Sequence, residues 1–259
     1  MSLSTRWQSS AALPCGLSGA PKGFCLRNAV RALGMPSGDY TNSYEGTGAV
    51  EHIFHKTFSQ SEREVLSRLT TPYKIQTYLL DLPYSADERY RCPASVIRDR
   101  TAHCYDGALI AAAALRRLGH TPLIVDLLPN DRDDDHLIAL FKVRGYWGAV
   151  AKSNFSGLTF REPIHRTLRE LVLTYFEPFY NVQKEKTLRA YTVPLQLRRF
   201  DRLNWMGSDD RLDDIGIRLD EIRKIGLIDR PMARGLSPLD ERSYNAGLLG
   251  ANWDGLYKP

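Results

Sequence analysis

Cys104 and His136 are the residues on which this chain could build chemistry. Residues 100–119 read Arg-Thr-Ala-His-Cys-Tyr-Asp-Gly-Ala-Leu-Ile-Ala-Ala-Ala-Ala-Leu-Arg-Arg-Leu-Gly. Cys104, Ala108, Ala111, Ala112, Leu115 and Leu118 recur at three and four residues, which is the apolar stripe of one helix face. Thr101 offers an N-cap and Gly119 a stop. Cys104 falls in the first turn, where unpaired N–H groups and the positive end of the helix dipole favour an anion. Its thiol is therefore expected to ionise more easily than a free one. The plain alternative is a small buried residue, since free cysteine is among the most buried types.

A thiol nucleophile needs a base, and the base needs an orienting partner. His136 opens a strand after the helix and is the leading base. If Arg144-Gly145 is a two-residue turn, Val143 faces Tyr146, Ile138 faces Ala151 and His136 faces Ser153. The orienting group should then lie near 151–154, where the chain reads Ala-Lys-Ser-Asn. Asn154 could hold the imidazole through its amide oxygen, and Ser153 less well. Lys152 would repel an imidazolium. The chemistry expected is attack on the carbonyl of an amide or peptide bond, with N–H groups at the helix start holding the oxyanion. Hydrolysis, deamidation and transamidation share those steps.

The elements that must position these groups can be read in order. Ser59 caps a helix carrying Val65, Leu66 and Leu69, and Thr71-Pro72 starts another with Ile75, Tyr78, Leu79 and Leu82. Residues 85–99, with Pro93, are expected to be a loop. After the Cys helix, residues 121–128 read as a buried strand. Residues 136–143 and 146–153 form a hairpin around Arg144-Gly145. Ile164 to Tyr180 is expected to be helical, and 188–197 extended apart from Pro194. Residues 208–226 read as an amphipathic helix, and the last 25 or so as turns wrapping loosely over the body.

The chain has 259 residues and a formal charge of +5, with acids and bases interspersed through most of its length. So mild an excess, without a zinc-finger or RNA-binding signature, points to no nucleic-acid partner. No apolar run reaches the roughly 18 residues that span a bilayer, so no membrane partner is expected. Cysteines at 15, 25, 92 and 104 do not read as a disulfide framework. A reducing compartment, the cytoplasm, is expected. Residues 1–38 contain no Asp or Glu. They could be a transit peptide, a disordered extension or the product of a start codon placed too far upstream. With 39–58 they form an expected leader and linker, 1–58. A domain over 59–200 and a helical extension and tail over 201–259 complete the division.

Ala-His-Cys-Tyr-Asp-Gly-Ala at 102–108, Leu-Arg-Arg-Leu-Gly-His-Thr-Pro at 115–122, Asp135-His136 and Tyr-Trp-Gly-Ala-Val at 146–150 carry a resemblance. Residues 71–163 resemble the core of the transglutaminase-like superfamily of papain-type folds, in a branch of bacterial type marked by Leu-Thr-Phe-Arg-Glu-Pro at 158–163 and Leu-Arg-Glu-Leu at 168–171. The resemblance implies an α+β fold with the Cys-bearing helix packed on an antiparallel sheet. It also implies a Cys-His-Asp triad and acyl transfer through a thioester. Cys104 matches the nucleophile and His136 the base. The acid is missing: Ala151, Lys152, Ser153 and Asn154 stand where the superfamily places an aspartate. A protein or peptide substrate and no cofactor are implied. The rival reading is a catalytically degenerate module that kept the fold for protein binding.

Trp147, His103 and Asp135 are candidate substrate-binding residues: an aromatic of the hairpin, the neighbour of the nucleophile, and an acid able to tune His136. Asp106 would steady the helix start through its charge. Asp131, Asp133 and Asp135 alternate like a calcium loop, but His136 and Lys142 occupy the positions that need glycine and glutamate. His52-x-x-His55 lacks the glutamate and spacing of a zinc helix. No metal ligands are expected.

Overall fold

A computed structural model describes residues 47–259. Its centre is the helix Cys104–Arg117, named α5 in chain order. Gly107, Ala108 and Ala111 to Ala114 are all buried along it. A row of small side chains lets neighbouring backbones approach closely. A Cβ placed on Gly107 would meet Lys152 Cβ at 2.2 Å, so only glycine fits there. The helix starts two residues later than its expected cap. His103 is the N-cap, its Nδ1 accepting from Tyr105 N at 3.2 Å, and Asp106 reaches back to His103 N at 3.3 Å. Thr101 instead donates to Pro83 O. Gly119, at φ +88°, follows the last turn as the sequence predicts.

α5 lies against an antiparallel sheet. Its strands are β1 (Leu123–Pro129), β2 (His136–Val143), β3 (Tyr146–Val150), β4 (Arg161–His165), β5 (Leu188–Thr192), β6 (Leu195–Gln196) and β7 (Lys224–Gly226). The order is β4-β3-β2-β1-β5-β7, with β6 also on β1, and every pair is antiparallel. The α+β class and the packing of the Cys helix on an antiparallel sheet are as the sequence implies. Alternation along the strands divides the core. Ile124, Leu137, Ala139, Phe141 and Val150 face the α5 side, while Val125, Leu127, Ile138, Leu140 and Ala149 pack with Leu171, Val172, Tyr175 and Phe179.

The hairpin turns at Arg144 and Gly145, both at positive φ, the geometry whose twist suits a two-residue connection. Val143 pairs with Tyr146 as expected, but the ladder ends at Ala139–Val150. Ser153 is therefore no ladder partner of His136. Past Val150 the chain is drawn to α3 (Pro72–Leu80). Gln76 brackets Ala151, and the buried Lys152 ammonium donates to Leu79 O and Leu82 O. Leu79 O lies in the last turn of α3 and Leu82 O just past its end, where a cation is favoured.

Other expectations change for local reasons. Residues from Thr47 on are not linker: α1 (Thr47–Thr57) buries Val50 and Phe54 in the core around α5, and residues 1–46 lie outside those described. Helix α2 (Gln60–Arg68), capped by Ser59, and α3, capped by Thr71, form as read. The expected loop 85–99 contains α4 (Pro93–Asp99), whose N-cap is the Cys92 thiol. Seven residues are too few to show a period, and a thiol is an unusual cap. The expected helix 164–180 is β4 followed by α6 (Leu168–Leu173), capped by Thr167, and then turns. The expected helix 208–226 shortens to α7 (Asp213–Glu221) before β7.

Residues past 200 belong to the same compact unit as α5 and the sheet. Trp205, Met206, Leu212, Ile215 and Leu219 enter the α5 core. After α8 (Arg230–Arg234) and α9 (Glu241–Gly247), the tail is tied down: Asn154 and the Asn252 backbone exchange two 2.8 Å hydrogen bonds, and Asn252 Nδ2 donates to Tyr84 O. No helix among the described residues is long and apolar enough to cross a membrane.

Candidate functional site

Cys104 is the first residue of α5 and half-buried. Its sulfur lies 4.0 Å from the carbonyl oxygen of Asp135, the residue before His136. Two cavities meet at Cys104. One is small and is also lined by Tyr84, His136, Ser153, Asn154 and Leu158. The other is an open cleft of about 1090 Å³ that includes His103, Tyr90, Tyr105, Asp126, Asp135 and Asp220.

His136, the first residue of β2, is 4% exposed. Its Nε2 lies 2.8 Å from Leu158 O. A carbonyl can only accept, so Nε2 carries the proton and Nδ1 keeps the lone pair. The ring sits among Tyr175 and Phe179, each at 6.4 Å between centroids. Burial, and secondarily the Arg161 charge, push its pKa down to about 4. At neutral pH the imidazole is thus the free base, set in one tautomer by a backbone carbonyl.

That carbonyl is held firmly. Leu158 closes a 3-10 turn, Ser156–Leu158. Arg161 donates to Gly157 O at 2.8 Å, and Tyr175 Oη donates to Thr159 O at 2.7 Å. A Cβ on Gly157 would meet Pro178 Cβ at 2.6 Å, so the turn packs tightly on the chain behind it. Sequence reasoning missed this partner because every residue has a carbonyl; its only trace was the turn-rich Ser-Asn-Phe-Ser-Gly at 153–157.

The side chains expected to orient His136 do other work. Both Asn154 amide atoms are taken by the Asn252 backbone. Ser153 Oγ accepts from Phe155 N at 3.0 Å, a local turn. The two line the small cavity, but the imidazole's hydrogen bond goes to Leu158.

The thiol also departs from expectation. Burial raises the Cys104 pKa above the ordinary thiol range, and the Asp135 and Asp134 carboxylates add to the rise. A few oriented N–H dipoles at a helix start do not outweigh withdrawal from water beside two negative charges. The resting group is a thiol, not a thiolate. Tyr84, which pattern did not single out, lines both cavities together with Cys104. Burial keeps that phenol protonated and so a donor.

The three candidate substrate-binding residues separate. Trp147 lines neither cavity at Cys104; its ring carries the Lys142 ammonium at 3.9 Å, and its carbonyl meets His165 Nδ1 at 3.1 Å. His103 lines the open cleft while capping α5, and burial lowers its pKa to about 4. Asp135 lines both cavities. It shares the open cleft with Asp126, a second residue not singled out, whose signal was one acid inside the apolar run Leu-Ile-Val-Asp-Leu-Leu. Asp106 is fully buried, accepts from Arg91 N at 2.7 Å, and is raised to about 7, chiefly by burial.

No family model and no curated protein matches the chain. Among solved structures it is similar to calcium-bound LapG of Legionella pneumophila, at 12% identity and a TM-score of 0.30, covering 42% of this chain and 72% of that one. It is similar to EGTA-treated LapG of the same organism at 16% identity and 0.30, covering 43% and 64%. A further LapG structure matches at 16% and 0.30, covering 42% and 67%.

Proposed function

We propose that the protein performs thiol-dependent acyl transfer or hydrolysis at an amide or peptide bond of a protein or peptide substrate, with Cys104 as nucleophile and His136 as base. The observation that carries this reading is the fixed tautomer of His136. Its Nε2 proton goes to Leu158 O, which leaves an unprotonated Nδ1 on a residue that lines the same small cavity as Cys104. Leu158 O takes the part assigned in the sequence to Asn154 or Ser153.

Thiol and imidazole both rest neutral, so activation occurs during attack. The thiol proton passes to Nδ1 as sulfur bonds to the substrate carbonyl carbon. N–H groups at the start of α5 meet the oxyanion, with the protonated Tyr84 hydroxyl on the same cavity wall as a further donor. The imidazolium returns the proton to the departing amine, leaving a thioester on Cys104. Water or an amine then attacks the thioester, again deprotonated by His136, and the thiol is restored.

Peptidyl p-nitrophenyl esters test this reading. The expected result is a burst of nitrophenol and an acyl adduct on Cys104 by intact mass. Cys104→Ala should abolish both, and His136→Gln should slow acylation by about 100-fold or more. A folded wild-type protein that gives neither burst nor adduct overturns the reading. One feature favours the rival binding module: no carboxylate or amide side chain orients the base. Under that reading Cys104→Ala keeps the cellular role.

A further inference from the structure

The open cleft beside Cys104 is acidic, although the whole chain carries +5. Asp126 from β1, Asp134 and Asp135 from the turn before β2, and Asp213 and Asp220 from α7 all line it. Tyr90 and Tyr105 stack along the same cleft, 4.5 Å between centroids. Asp126 is 2% exposed, and its Oδ1 has no hydrogen-bond donor among the described residues. Asp135 lines the same cleft, and its charge acts on Asp126.

Two carboxyl groups withdrawn together from water cannot both ionise at ordinary cost. Burial first, and neighbouring acids second, hold both above the usual carboxylate range. The groups acting on the pair are Asp134, Asp220 and, from β7, the exposed Lys224, with the Cys104 thiol alongside. A cation lodged between Asp126 and Asp135 would supply the missing partner and replace the proton.

We infer that this cleft holds a cationic side chain of a peptide, a guanidinium or ammonium, seated on Asp126 and Asp135 and flanked by Tyr90 and Tyr105. Aromatic faces beside carboxylates suit an organic cation. A bare metal ion fits poorly, since no three His, Cys, Asp or Glu side chains among the described residues are grouped to hold one. The cleft includes Cys104, but binding requires no turnover, so the inference does not rest on the thiol chemistry.

Calorimetric titration of the full chain tests it, using Ac-Ala-Arg-Ala-NH2, the lysine peptide, the peptide with neutral citrulline, and calcium chloride. The arginine peptide is expected to bind, and the citrulline peptide to bind about tenfold more weakly or worse, the loss of one charge-assisted contact. The lysine arm tells guanidinium from ammonium, and binding of either supports the site. Asp126→Asn should weaken the arginine peptide about tenfold, with folding confirmed by circular dichroism. Asp220→Asn alters an exposed residue and should weaken it about twofold to threefold. Equal binding of arginine and citrulline peptides, an unchanged affinity in folded Asp126→Asn, or calcium displacing the arginine peptide at equal concentration would each overturn the inference. If Asp126→Asn does not fold, an unchanged affinity in Asp220→Asn does so instead.

Discussion

Replacing His136 by glutamine gives a pH test of the buried imidazole. In the unfolded chain its pKa is the ordinary 6.5, while in the fold it is about 4. Above the unfolded value both states hold it neutral, and stability does not depend on its titration. As pH falls below 6.5 the unfolded chain binds a proton that the fold excludes, so stability is lost. The loss grows until the folded value is passed. Integrated to about pH 4, it amounts to about 3 kcal/mol. The side chain is almost wholly shielded, so solvent screening takes little from that figure. Other groups titrate in the same window: His103, also lowered to about 4, adds to the loss, while Asp106, raised to about 7, opposes it. The difference between wild type and His136→Gln isolates the imidazole, because glutamine can keep a donor toward Leu158 O and does not titrate. Urea unfolding of both proteins from neutral pH down to about pH 4 should show wild type losing about 3 kcal/mol more than the variant. Parallel curves would refute the buried neutral imidazole and, with it, the tautomer on which the proposed base depends.

Three further outcomes are expected. Gly107→Ala should destabilise by about 1–3 kcal/mol in chemical denaturation, because Lys152 Cβ is 2.2 Å from the new methyl and its ammonium is anchored to α3; an unchanged midpoint would contradict that packing. Cys104 should be alkylated by iodoacetamide more slowly than free cysteine at neutral pH, accelerating in alkali, since burial and Asp135 raise its pKa; reaction faster than free cysteine would refute the resting thiol. Asn154→Ala removes both hydrogen bonds to Asn252 and should cost about 1–3 kcal/mol, with the tail beyond residue 250 cut sooner in limited proteolysis; equal cleavage rates would show that the tail is held elsewhere.

What could be read from the chain was written locally. The apolar stripe of α5, the Ser59 and Thr71 caps, the Arg144-Gly145 turn and its Val143–Tyr146 register depend on neighbours a few residues apart. The order of a cysteine at a helix start and a histidine opening a strand was equally plain. The missed elements fall into two kinds. α1 and α4 are short or weakly patterned helices, made by burial against a core that no local window contains. Where the helix 164–180 was expected, pairing with β3 drew Arg161–His165 into a strand instead.

The sequence by itself determined the α+β class, the Cys-bearing helix and the pair of residues on which chemistry would rest. Only the tertiary structure decided what surrounds them. It set Leu158 O behind the imidazole, gave Asn154 to the tail, brought Asp126 and Asp135 into one cleft, and held the thiol protonated. The physical reason is that hydrogen-bond partners and pKa values depend on distance in space and on exclusion of water. A backbone carbonyl 22 positions away, or an acid on the next strand, leaves no mark in the local pattern.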